Sequence, residues 1–112
     1  MPATVEAAVA RFEEFVHALG AGDVATACAI GRVAVEAGGA GLSCEQAIPL
    51  LREMSTDEEL AALRDVSVDP SQVEQTAPNR VEIPPAPPYS TAPETDPPVV
   101  LEHDGTNWYV VQ

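Results

Sequence analysis

The apolar residues of this chain change their spacing near Arg64, from three- and four-residue steps before it to alternate positions after it. A 3.6-residue period lays side chains along one stripe of a helix, whereas a period of two lays them on one face of a strand. Helices therefore come first and strands second, an α+β order in which an apolar helix stripe must cover an apolar sheet face. The 112 residues leave room for one domain over 1–112, with a helical part at about 4–64 and a strand part at about 65–112.

Three to four helices are expected. Val5, Ala8, Val9, Phe12, Phe15, Val16 and Leu19 form the stripe of the first, with Thr4 placed to cap it and Gly20 and Gly22 placed to stop it. Asp23 reads as the cap of a second helix, whose face carries Val24, Ala27, Cys28, Gly31 and Val35 and whose end frays before Gly38 and Gly39. Ser43 and Gln46 make a capping box for a third, with a stripe of Cys44, Ala47, Ile48, Leu51 and Met54 and an expected bend at Pro49. Ser55 with Glu58, or Thr56 with Glu59, starts a short fourth helix that buries Leu60 and Leu63.

Strands are expected at Val66 and Val68, at Val81 and Ile83, at Val99 and Leu101, and at Trp108 and Val110. Asp104-Gly105 signals a two-residue hairpin turn, which pairs Leu101 with Trp108 and Val99 with Val110 on a face that packs on the first helix. Pro78-Asn79 is a second turn candidate. The segment 84–98 contains seven prolines and reads as a polyproline-like loop or an excursion from the sheet edge.

Eighteen carboxylates against five basic residues, all Arg, give a net charge of -13. Such a surface repels phosphate backbones and anionic lipid, so nucleic acid is excluded as a partner and membrane insertion by this segment is not expected. No apolar run reaches the roughly 20 residues of a membrane span. Met1-Pro2 leads almost directly into a helix, and the expectation is the mature part of an exported protein.

Few residues of the chain fall in patterns that carry chemistry. The two Cys and two His have no zinc spacing, and no GxGxxG, P-loop or GxSxG element is present, so neither metal nor cofactor is expected. Ser43, Ser55, Ser67, Ser71 and Ser90 have no base arrangement that sequence reveals. Gly38 to Gly41 lacks the Lys and the preceding strand of a phosphate cradle and reads as a connection. Glu6, Glu13, Glu14 and His17 fall on the polar side of the first helix, and Asp57, Glu58 and Glu59 suit the first turn of the fourth. Asp65, Asp69 and Glu82 lie near strand positions. His103, at the hairpin end beside Glu102 and Asp104, is the one weak catalytic candidate. Pro84 to Pro88 has the PxxP spacing, with Tyr89 following, of ligands for aromatic grooves, against the plainer reading of a loop.

The stretch VARFEEFVHALGAGDVATAC, from Val9 to Cys28, resembles the opening of small NTF2-like domains. Cys44-Glu45-Gln46-Ala47 and the terminal Asp104-Gly105 before Trp108-Tyr109-Val110 add to the likeness, which is greatest for actinobacterial exported or lipid-anchored members with paired Cys. The resemblance implies a cone in which a curved antiparallel sheet of three to four strands wraps the first helix, sometimes around a cavity. Its enzymatic relatives, of ketosteroid-isomerase or polyketide-cyclase kind, place acids, Tyr or His in that cavity.

The expected function is a non-enzymatic extracytoplasmic domain for a small apolar ligand or a protein partner, with Phe12, Phe15, Val16, Leu101, Trp108 and Val110 lining a pocket or the core. The alternatives are an isomerase- or cyclase-like enzyme with Asp or His at the cone mouth, and a structural module that is monomeric or dimerises through a sheet face carrying Val100, Tyr109 and Val111. Cys28 and Cys44 sit on the apolar faces of their helices and are expected to form a disulfide worth roughly 3 kcal/mol, the alternative being two buried thiols in a cytoplasmic protein. Alkylation followed by intact-mass measurement separates these: no labelling before reduction supports the bond, and labelling of both residues without reductant contradicts it.

Overall fold

Thr4 opens the first helix with its hydroxyl accepting the Ala7 N–H at 3.2 Å, and Gly22 closes it in the left-handed region at φ 80°. Between them α1 runs Val5–Ala21, followed by α2 at Val24–Gly38, α3 at Cys44–Glu53 and α4 at Asp57–Arg64. A single 3₁₀ turn, Pro70–Gln72, leads into β1 Glu74–Ala77, β2 Arg80–Ile83, β3 Val99–His103 and β4 Trp108–Val110. The computed structural model describes residues 1–38, 41–90 and 92–112. Gly39 and Ala40 of the Gly38–Gly41 connection, and Thr91 of the proline-rich loop, lie outside the described residues.

The four strands form one open, curved antiparallel sheet in the order β1-β2-β3-β4. Val81, Ile83, Leu101 and Trp108 are fully buried and join Ala8, Phe12, Phe15 and Val16 of α1 in one core. Alternation accounts for this: inward residues of each strand meet the helix stripe, and Glu82 and Glu102 between them stay wet. Val100 is buried too, and Tyr109 and Val111 are half-buried, so the expected exposed apolar sheet face is not there. α2 packs along β4, and the Arg11 guanidinium lies 5.8 Å from the centre of the Tyr109 ring.

α1 touches α2, α3 and α4, and its C-terminus is where they converge. A Cβ at Gly20 would stand 2.5 Å from the Leu60 carbonyl oxygen, so α4 passes as close as two backbones allow. The Gly20 carbonyl, which has no partner within its own helix, accepts from Arg52 of α3 and Arg64 of α4, each at 2.8 Å, and Arg52 also donates to Leu19. Unmatched carbonyls and the negative end of the helix dipole favour cations there.

A disulfide joins Cys28 to Cys44 with Cα atoms 5.8 Å apart, fastening α2 to the first turn of α3. Both residues are buried. Beside it Arg32 pairs with Glu45 and, at 3.1 Å, with Glu36, whose carboxylate also accepts the Cys44 N–H at 2.9 Å. Hydrogen bonding to Arg32 pulls the Glu45 carboxyl down to about 2, and the same contacts push Arg32 up.

Several expectations are corrected. The expected strand at Val66 and Val68 is irregular chain: His17 Nε2 donates to the Val66 carbonyl and Glu13 accepts the Val68 N–H, each at 2.8 Å, so α1 takes the bonds a neighbouring strand would have made. Both side chains thus leave the solvated role expected of them. Pro70 ends that segment, and Glu74–Ala77 pairs with β2 across the Pro78-Asn79 turn instead. The β3–β4 register is Leu101 with Val110 and His103 with Trp108, two residues from that expected. The turn centres on Gly105-Thr106, with Gly105 at φ 101° and Asp104 Oδ1 accepting from both Thr106 and Asn107. A two-residue slip leaves every side chain on its expected face. The bent helix is α2, at Gly31 (φ -121°, ψ 18°). Leu60 and Leu63 are half-buried, and the α3 stripe buries only Cys44 and Ile48, leaving Leu51 48% and Met54 84% exposed.

Two outcomes follow from these contacts. Gly20→Ala meets backbone that cannot retreat and should cost about 1–3 kcal/mol in urea unfolding, whereas Gly38→Ala, with nothing within 4 Å, should cost nothing. The Glu45 carboxyl is lower in the folded protein than its ordinary 4.5, so its contribution is complete above about 4.5 and lost as pH falls toward about 2. The melting temperature of Glu45→Gln should therefore trail the parent at pH 7 and meet it near pH 2.

Candidate functional site

Beside the C-terminal half of α1 the core opens at its edge into a cleft of about 360 Å³. Phe12, Phe15, Val16 and Leu19 form its floor, Ala34 and Val35 of α2 one wall, and Val99 and Val110 of the sheet another. Leu51, Ser55, Glu59 and Leu63 close the α3–α4 side, and Pro88, Tyr89 and Gln112 complete the rim. This size and composition are those of a small-molecule pocket, apolar walls with a few polar groups.

Local sequence explains how the aromatic side chains beside the cleft are placed. Phe15 lies so close to α2 that a Cβ at residue 31 would stand 2.3 Å from its ring, so Gly31 and the bend there make room for it. Tyr89 meets Phe12 edge to face, centroids 5.0 Å apart at 83°, and its hydroxyl donates to the Pro84 carbonyl at 3.1 Å. Burial pushes the Tyr89 hydroxyl up from its ordinary value.

Tyr89 thus anchors the proline-rich loop over α1. The loop is built from hydrogen-bonded turns, Ser90 N–H to Ala86 and Asp96 N–H to Ala92, tied together by the Ser90 hydroxyl on Asp96. That replaces the expected polyproline-like course. It also turns Tyr89 toward the body of the protein, away from the exposed ligand arrangement that PxxP spacing implies.

Two side chains of the cleft each spend an oxygen on local backbone. Ser55 Oγ donates to the Leu51 carbonyl at 2.9 Å, and Glu59 Oε1 accepts the Thr56 N–H at 3.1 Å in the capping box of α4. Each carboxylate with a displaced pKa is displaced downward. Asp23 is lowered by Thr26, Asp69 by Ser71 and Asp104 by the Asn107 and Thr106 amides, all in caps or turns. Asp65 is exposed at the end of α4, and Glu82 pairs with Arg80 at 3.8 Å.

Of the residues marked from sequence, Phe12, Phe15, Val16 and Val110 line the cleft, while Leu101 and Trp108 belong to the core. His103 stands elsewhere. Its Nδ1 accepts the Gly105 N–H at 3.0 Å, which makes Nε2 the donor to the Met1 carbonyl at 2.8 Å, and its ring packs edge-on against Trp108. Trp108 Nε1 in turn donates to the Pro2 carbonyl, so this pair fastens the N-terminal residues to the hairpin. Sequence reasoning missed Leu19, Ala34, Val35, Glu59, Leu63, Tyr89 and Val99 as neighbours, because they come from five separate stretches of chain.

Beyond Leu51 the cleft continues into a shallower groove of about 470 Å³ between α2 and α3, over Leu42, Leu50 and Met54. Among the described residues no group of three or more His, Cys, Asp or Glu is arranged to hold a metal ion, and no helix is long and apolar enough to cross a membrane. No family model, curated protein or solved structure matches the chain.

Proposed function

We propose that this chain is a non-enzymatic, extracytoplasmic binding domain of NTF2-like kind that holds a small apolar ligand in the cleft beside α1. The observation that carries the reading is the cleft itself, floored by Phe12, Phe15, Val16 and Leu19 and walled by apolar residues of α2 and the sheet. A ligand there would cover the partly exposed Leu19, Val35, Leu51, Leu63 and Val99, which is favourable by about 25 cal/mol for each Å² of apolar surface removed from water. The disulfide supports the compartment, since such bonds persist in oxidising surroundings.

The engagement of Ser55 and Tyr89 in backbone contacts favours binding over proton transfer. The position of His103, hydrogen-bonded at the hairpin end, weighs against the isomerase-like alternative. A protein partner is the second reading, favoured by the exposed Leu50, Leu51 and Met54 on α3.

Binding of N-phenyl-1-naphthylamine, a neutral apolar fluorophore, tests the first reading. Saturable one-to-one enhancement is expected, weakened at least about tenfold in Ala34→Trp, which fills the cleft from α2 while circular dichroism stays unchanged. Absence of saturable binding, or equal binding by Ala34→Trp, contradicts it.

A further inference from the structure

Charge is distributed through this protein in a way that restricts the head group of an apolar ligand. The chain has five cationic side chains, all Arg, for eighteen carboxylates. Every one is occupied away from the cleft. Arg11 donates to the Trp108 carbonyl and pairs with Glu14; Arg32 holds Glu36 and Glu45; Arg80 sits between Glu82 and Glu102. Arg52 and Arg64, whose helices border the cleft, turn to the carbonyls that end α1. The imidazoles are bound as well, His17 to Val66 and His103 to Met1.

What remains on the cleft wall is one carboxylate, Glu59. Its Oε1 accepts the Thr56 N–H, and Oε2 makes no hydrogen bond or ion pair among the described residues. Asp57 and Glu58 stand in the same turn, so the positive end of the α4 dipole is answered by the chain's own carboxylates and offers nothing to an anion. We infer that the cleft selects apolar ligands with a cationic head group, the ammonium or amidinium seated at Glu59 and the tail lying along Phe15, Leu63 and Val99. This narrows the apolar-cleft reading and rests on it. A carboxylate-headed ligand of the fatty-acid kind would bring its charge beside Glu59, with no cation to meet it, in a protein of net charge -13.

The test is an NMR titration at pH 7 with octyltrimethylammonium, octanol and octanoate, which share one tail and differ in head charge, followed at the methyl groups of Leu63, Val99 and Val110. The cation is expected to bind roughly tenfold more tightly than the anion, with the alcohol between them. Glu59→Gln should reduce that ratio to about threefold or less while the fold persists, because Gln serves this capping position in α3, where Gln46 closes the box on Ser43. Glu74→Gln, the same charge change on the exposed edge strand β1, should leave the ratio alone. Equal binding of the three compounds in the cleft, or equal effects of the two variants, overturns the head-group inference and spares the apolar-cleft reading. Failure of all three to shift the cleft methyls overturns both.

Discussion

The structure depends most on what happens at the C-terminal end of α1. Gly20 has no side chain, so α4 can lay its backbone against it, and the freed carbonyls of Leu19 and Gly20 are met by Arg52 and Arg64. A cation at a helix C-terminus contributes about 0.3–1 kcal/mol when exposed and up to about 2 when partly buried. Here two such contacts also fix where α3 and α4 stand relative to the helix that carries the core. The disulfide and the Arg32 contacts hold the other end of that assembly, at the start of α3.

The clamp also shapes the cleft. α3 is held at its first turn by Cys44 and near its last by Arg52, which leaves Leu51 at the edge of the cleft and 48% exposed. α4 is short and contributes only half-buried residues, and the sheet reaches the same stripe through Val99 and Val110. The remaining gap is closed on one side by Tyr89, whose ring packs on Phe12. Using Arg52 and Arg64 as helix clamps has an electrostatic consequence. Among the helices that line the cleft, α4 presents one carboxylate to it, Glu59, and the guanidinium groups of Arg52 and Arg64 are kept elsewhere.

Much of this was legible in residue order. The caps at Thr4 and Ser43 and the left-handed Gly22 follow from local rules that tertiary context rarely overrides, Thr56 was one of the two caps offered for α4, the apolar helix faces of Cys28 and Cys44 pointed to their bond, and the change of period near Arg64 marked the boundary between helices and sheet. What failed was information carried by distant partners. Val66 and Val68 alternate like a strand, and their segment is held by hydrogen bonds, but the partners are His17 and Glu13 on a helix. Asp104 signalled a turn one residue early because it stands at the start of the turn, its N–H on the Asn107 carbonyl and its carboxylate accepting the Thr106 and Asn107 amides, and not at its centre. Half of the cleft was legible in the α1 stripe. The other half was hidden in a proline-rich segment whose only aromatic residue, Tyr89, folds inward.

The central claim is that the outer part of the α1 stripe is a ligand-binding surface and not merely unfinished core. Intermolecular nuclear Overhauser effects between a bound neutral apolar ligand and the aromatic rings measure this most directly, because Phe15 borders the cleft and Trp108 is sealed in the core. The account predicts transfer to the Phe15 ring and none to Trp108. Transfer confined to Leu50 and Met54 on the outer face of α3, with Phe15 silent, would contradict it.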